Sequence, residues 1–405
     1  MERQQFNVVP VYLDHNATTP LDPRVLDAML PYLREHYGNP ASVHRYGRIA
    51  RAALDQAREQ VATLVNTHPS QVVFTSGGTE ANNYALKGVA AKLPSRNTAR
   101  RIAISAIEHS SVLGAAQALV AQGWECDSIA VDEQCRVSLA ALSVVLKAMP
   151  RLVSVMMANN ETGAIQDIAA ISAQVRAAGA IMHTDAVQAA GKIAIDFHAS
   201  GAHLMSISAH KLYGPKGVGA LVVDKSLDLE PLLYGGGHEM ERRAGTENMA
   251  GIVGFGAAAI LAHEELASRN THLQTLRDTL EQRLRVMPGV VIFAAQGCAS
   301  AVGAGAIATQ ARRIANTVLI GVPAIEGETL LMELDRHDIA VSSGSACASG
   351  DPEPSHVLLA MGVDPDLARR VIRISLGKDN TLADIDKFIT VLTDQITRVQ
   401  VSTWG

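Results

Sequence analysis

Apolar residues in this chain gather into short runs separated by longer stretches with helical spacing. Between about residues 70 and 225 the runs QVVFTS (71–76), RIAIS (101–105), LVSVMMA (152–158), AIMHTD (180–185), HLMSIS (203–208) and VGALVVD (218–224) are each of strand length. Helix-length segments divide several of them, such as EANNYALKGVAAK after Gly77-Gly78-Thr79 and the stretch that opens near His109. Strands that alternate with helices in this way predict a mainly parallel sheet covered by helices.

Beyond residue 225 the texture changes. YGGGHEMERRAGTEN (234–248) is rich in glycine and charge and reads as an exposed loop. One long helical region is expected from Glu247 to about Val286. A strand (317–321), a helix (326–337), a loop (342–355) and a final helix (381–399) follow. This part predicts a second, smaller α+β domain. The Ala/Gly-rich stretch 298–310 reads as a surface excursion.

Composition narrows the function classes. A chain of 405 residues has room for two or three domains, and 48% hydrophobic with 19% charged side chains suits a soluble globular protein, not a disordered one. Net charge is −5, from 35 basic and 40 acidic residues without a long same-sign run, so no nucleic-acid partner is expected. The charge-free run Gly251 to Ala262 is shorter than the ~20 residues of a membrane span, and the opening MERQQFNVVP has no secretory pattern. Cysteines stand only at 126, 135, 298 and 347, without CxxC spacing, and no HExxH grouping occurs. A cytoplasmic protein with no structural disulfide and no metal site is expected.

Candidate chemistry sits where apolar runs end. Ser208-Ala209-His210-Lys211 closes one run just before a Gly/Pro turn. A lysine there can reach a cofactor aldehyde while its neighbours hold phosphate; it can equally be a surface lysine, and Lys216 is a rival. Asp185, in HTDAVQ, closes another run and could keep a pyridinium nitrogen protonated, with Gln188 three residues on; a plain helix cap is the alternative. Ser76-Gly77-Gly78-Thr79 offers bare N–H groups and a helix start, a phosphate cradle that is neither GxGxxG nor a P-loop. Cys347 rides in SSGSACASGDPEPS (342–355), a stretch of small residues and prolines where a thiol would be exposed and reactive.

Taken together with YLDHNATTP (12–20), GNPASVHRYG (38–47), FTSGGTEANN (74–83), EHSSV (108–112), ANNETG (158–163), RRAGTEN in the 234–248 loop and IRISLG (372–377), these motifs resemble the cysteine desulfurases. Those are NifS/IscS-like members of the class V aminotransferase group of pyridoxal phosphate (PLP) enzymes. The resemblance implies fold type I, an α/β fold with a mainly parallel seven-stranded sheet in a large domain (20–264). A small α+β domain (1–19 and 265–405) would carry the Cys347 loop. It further implies a homodimer that acts on L-cysteine and passes sulfur to an iron–sulfur scaffold or another acceptor protein.

Residue by residue, the resemblance implies that Lys211 carries PLP as a Schiff base and Asp185 pairs with the pyridine nitrogen. His109 would stack on the ring and move protons, and Asn160 and Gln188 would contact the ring oxygen. Gly78, Thr79, Ser208 and His210 would hold the phosphate, with Thr246 supplied by the other subunit. Arg373 would clamp the substrate carboxylate, with Asn160 beside it, and Cys347 would take the sulfur. A selenocysteine lyase, or another class V PLP enzyme, is the alternative activity. The pattern departs from relatives at Ala315, where they carry proline, and in the apparent insertion at 298–310.

Overall fold

The computed structural model describes residues 10–92, 100–295, 313–343 and 353–402. Cys298, Cys347, the 298–310 stretch and most of the 342–355 loop lie outside the described residues.

The strand-length runs assemble into one seven-stranded sheet. Its spatial order is Val72–Thr75, Gly219–Val223, Leu204–Ser208, Ile181–Asp185, Leu152–Ser154, Arg101–Ser105 and Glu125–Ile129. Gly219–Val223 is antiparallel to both its neighbours and every other pair is parallel, so six of the seven strands point the same way. Successive side chains leave a strand on opposite faces. Thus Val72 and Phe74, Ala220 and Val222 feed one core with the helices Arg45–Leu64, Ile168–Ala177 and Met249–Glu264. Val73, Leu221 and Val223 feed the other, against Gly78–Lys92 and Ser110–Val120. Burial on both faces explains why these runs are continuously apolar.

A separate core lies under the C-terminal sheet, ordered Ser342–Ser343, Val371–Ser375, Thr317–Gly321 and Val291–Ile292, all antiparallel. The chain's beginning joins it: Val11–Tyr12 pairs in parallel with Ile339–Ala340, and Val11 and Leu13 are buried in that core. A smaller cluster ties the two parts together, packing Ile107, Met156 and Ala164 on Leu319, Val357 and Val371.

The single helix expected over 247–286 is two, Met249–Glu264 and Leu266–Arg285, bent by 70°. Each half serves a different core. Ala250, Phe255, Ala259 and Ala262 of the first pack on the large sheet, while Leu273, Leu276, Leu280 and Leu284 of the second pack on the small one. At the break the Glu265 carboxylate accepts from Arg24 Nη1 at 2.6 Å and from Arg269 Nη2 at 2.6 Å. Among the described residues no single helix is long and apolar enough to cross a membrane.

Candidate active site

Five of the six co-directional strands deliver residues to one cavity of about 230 Å³ at their C-terminal ends, where open α/β sheets bind ligands. Gly78 and Thr79 follow Val72–Thr75, and His109 follows Arg101–Ser105. Asn160 follows Leu152–Ser154, Asp185 and Gln188 close Ile181–Asp185, and Ser208, His210 and Lys211 close Leu204–Ser208. These nine sequence candidates share the cavity. Arg373 does not line the cavity but bonds Asn160, which does, while Thr246 is exposed and does not line the cavity of its own chain.

A short 3-10 turn, Ala209–Lys211, swings the lysine off the strand end. Its Nζ donates to Asn16 O and Ala17 O, both at 2.7 Å. Burial, helped by the Arg373 charge, pulls the Lys211 pKa down to about 8, against the opposing pull of Asp185 and Asp14. An amine so placed gives up its proton far more readily than a surface lysine.

Asp185 is held from two sides. Asn82 Nδ2 donates to Oδ2 at 2.7 Å, and Val187 N donates to Oδ1 at 2.9 Å. The second bond is the turn-capping contact the sequence suggested as an alternative; it coexists with a carboxylate facing the cavity. His109 caps the helix Ser110–Val120, its Nδ1 accepting from Ser111 N at 3.1 Å, which turns Nε2 away from the helix. Burial lowers its pKa, with Asp185 acting against that and Lys211 and His356 with it.

The turn into Gly78–Lys92 leaves room for an anion. A Cβ on Gly78 would stand 2.8 Å from Val187 Cγ2, so a hydrogen is all the site admits there. Ser208 Oγ is buried without a hydrogen-bond partner. N–H groups of a helix start beside an unused hydroxyl form an anion cradle. Burial, with Lys211 and Lys216 nearby, lowers the His210 pKa to about 4, so that ring contributes hydrogen bonding and not charge.

Arg373, on Val371–Ser375, donates through Nη1 to Asn160 O at 3.1 Å and through Nη2 to Asp14 Oδ1 at 2.7 Å; its buried Nε has no partner. The loop that carries Thr246 is anchored beneath. Arg58 donates to both oxygens of Glu239 at 2.8 Å, and Phe74 N donates to Glu239 Oε2 at 2.8 Å. That grip coincides with three successive left-handed residues, Glu239, Met240 and Glu241, at φ of 48°, 59° and 65°.

Several residues around the site escaped the sequence reading. Asn82 lies one helical turn beyond Gly78 within the FTSGGTEANN motif, a spacing that signals a shared helix face. Asn16, in YLDHNATTP, takes Lys211 and Gln188 on its carbonyl oxygen and Lys192 and Asn316 on Oδ1. Glu108, which precedes His109, is wholly buried. Burial raises its pKa to about 8 despite the donors Ser105 Oγ and Met156 N. Nothing local in the sequence marks Asn16, whose partners lie far along the chain, or the Met156 donor that lies 48 residues beyond Glu108.

The chain is similar to known proteins along nearly its whole length. The Aminotransferase class-V family matches residues 11–388. A protein named cysteine desulfurase from Bradyrhizobium diazoefficiens is 42% identical over 397 residues, covering 98% of this chain and 97% of that one. Among solved structures, one titled NifS-like protein is 37% identical with a TM-score of 0.86, over 96% of this chain and 99% of its own. Another, titled SspA in complex with cysteine, is 28% identical with a TM-score of 0.77, over 92% and 100%.

Proposed function

Since the chain belongs to the class-V aminotransferase family, we propose that it is a PLP-dependent cysteine desulfurase. It takes sulfur from L-cysteine, releases L-alanine and holds the sulfur as a persulfide on Cys347. The observation that carries this reading is the meeting, in one cavity, of a lysine with a lowered pKa, a fixed carboxylate and an anion cradle. The orphaned Ser208 hydroxyl and the bare Gly78 fit a phosphate, Asp185 fits a ring nitrogen that must stay protonated, and Lys211 fits an aldehyde. The solved structure of the same fold titled SspA in complex with cysteine supports the choice of amino acid.

Bound there, PLP supplies an electron sink that loosens the bonds of the amino acid's α-carbon. The chain's residues do the rest. Thr79 and His210 would complete the phosphate contacts, Asn160 and Gln188 would hold the ring oxygen, and His109 would cover the ring and carry a proton through Nε2. Arg373, held beside the cavity by Asn160 and Asp14, would supply the guanidinium for the substrate carboxylate. The Cys347 thiolate attacks the substrate sulfur: an S–S bond forms, the C–S bond breaks, and the electron pair left on carbon is protonated on the way to alanine.

The exposed position of Thr246 supports a homodimer in which this hydroxyl completes the partner's phosphate site. Tyr37 and Val43, 77% and 88% exposed, leave an apolar surface such a contact would cover. We assign the large domain to 20–264 and the small domain to 1–19 with 265–405. The enzyme is placed in the cytoplasm, serving an iron–sulfur scaffold or another sulfur acceptor. The decisive experiment incubates the purified protein with L-cysteine and follows alanine release, then maps the extra sulfur by alkylation and peptide mass spectrometry. It should sit on Cys347; Cys347→Ser should keep a borohydride-reducible lysine adduct and lose turnover. An active Ser variant, or extra sulfur on Cys126, Cys135 or Cys298, removes the assignment.

A further inference from the structure

Gln188 reaches the cavity as one end of an amide whose oxygen and nitrogen have nearly the same shape, so its orientation is decided by its partners. Asn16 O, a carbonyl that can only accept, lies 2.9 Å from Nε2. At the other end Lys192 Nζ, which offers N–H donors whether charged or neutral, lies 2.7 Å from Oε1. Both partners demand the same orientation. Lys192 is itself fixed, with a second bond of 2.8 Å to Asn16 Oδ1. The Asn16 amide is locked in turn, its Oδ1 accepting from Asn316 Nδ2 at 3.0 Å and its Nδ2 donating to Thr317 Oγ1 at 2.8 Å.

The chain builds this clamp locally. The turns after Asp185 set Gln188 and Lys192 four residues apart on one side, with Gly191, at φ +73°, bending the backbone between them. Gln188 is 5% exposed, so water has little access to replace a lost donor at Oε1. Lys192 is half-buried as a residue, but its amine is enclosed, and burial next to Lys211 and Arg373 pushes its pKa well down. Enclosing an amine beside two other cations is costly, and packing alone is served better by an apolar side chain.

We propose that Lys192 is a positioning residue that holds Gln188 Oε1, so that the second Nε2 hydrogen is presented to the cavity beside Lys211. In the PLP reading, on which this rests, that hydrogen meets the ring oxygen. A donor there draws negative charge from the oxygen and weakens its hold on the proton of the lysine linkage. Losing the donor should tighten that hold.

The test is a pH titration of the visible absorbance of the lysine-bound cofactor in the holoenzyme. Lys192→Met and Gln188→Ala should each raise the midpoint by on the order of one pH unit, the worth of about one hydrogen bond. The double variant should move no further. Lys192→Gln keeps an N–H donor at nearly the size of Met. Its midpoint should fall between wild type and Lys192→Met, and if Lys192→Met does not fold, a Gln variant that shifts as far as Gln188→Ala overturns the proposal. So does an unshifted Met variant, or a double variant whose shifts add. The wild-type band and its loss on borohydride reduction test the cofactor reading separately; without that band, the reading and the proposal fall together.

Discussion

Lys211 spends its N–H donors on two backbone carbonyls and sits where burial disfavours its charge. In the apoprotein the folded state loses the Lys211 proton near pH 8, the unfolded state near 10.5. Between these values the unfolded chain binds more protons, so folding gains as pH rises. Wild-type stability relative to Lys211→Met should climb by about 3 kcal/mol from pH 8 to 10.5, measured by denaturant titration; a flat difference would mean a solvated lysine. Asn82→Ala should leave the fold intact and lower kcat roughly 10- to 100-fold, because a buried carboxylate loses a charge-assisted bond. An unchanged kcat would release Asn82 from that role. Lys211 and Asp185 were legible because each closes an apolar run, and strand ends with turn residues are local signals. The grip of Asn82 on Asp185 spans 103 residues, and that of Asn16 on Lys211 spans 195. Such contacts exist only after folding, and no spacing rule reports them.

Secondary-structure elements follow the same division. Arg101–Ser105 and Thr317–Gly321 match their expected runs because both are apolar and buried. Glu125–Ile129 went unread: as an edge strand of sequence ECDSI only its last residue is buried, and polar edges are how sheets avoid pairing with strangers. The break at Glu265 went unread because helical spacing continues through it, and only the change from one core to the other shows why the axis turns. The 234–248 loop carries a further prediction. Its left-handed residues cost about 1–2 kcal/mol each, and Arg58–Glu239, with side chains 9% and 2% exposed, holds them in place. Arg58→Met would strand a buried carboxylate, so stability should fall by about 3–5 kcal/mol in urea melts. A loss under 1 kcal/mol would mean that the loop is held elsewhere.

For the whole molecule, the proposed dimer would make retention of the proposed cofactor a property of two chains. Thr246→Ala should raise the rate of PLP loss on dilution several-fold without changing the isolated subunit's melting temperature; equal retention would leave Thr246 outside the site. The lengths of chain brought together have another consequence. Asn16, whose carbonyl receives Lys211, is itself seated by Ser375, 359 residues later, and the strand just before it pairs with Ile339–Ala340. On a ribosome adding about 5–20 residues per second, Asn16 emerges on the order of 20–70 s before Ser375 is made. The large sheet has all its strands by residue 223, long before the lysine has its final acceptors. Nascent chains stalled before residue 339 should therefore resist proteolysis over the sheet yet retain PLP poorly, while full-length released chains retain it. Capture of the proposed cofactor would then report that synthesis has finished, and chains truncated by premature termination would be left unloaded.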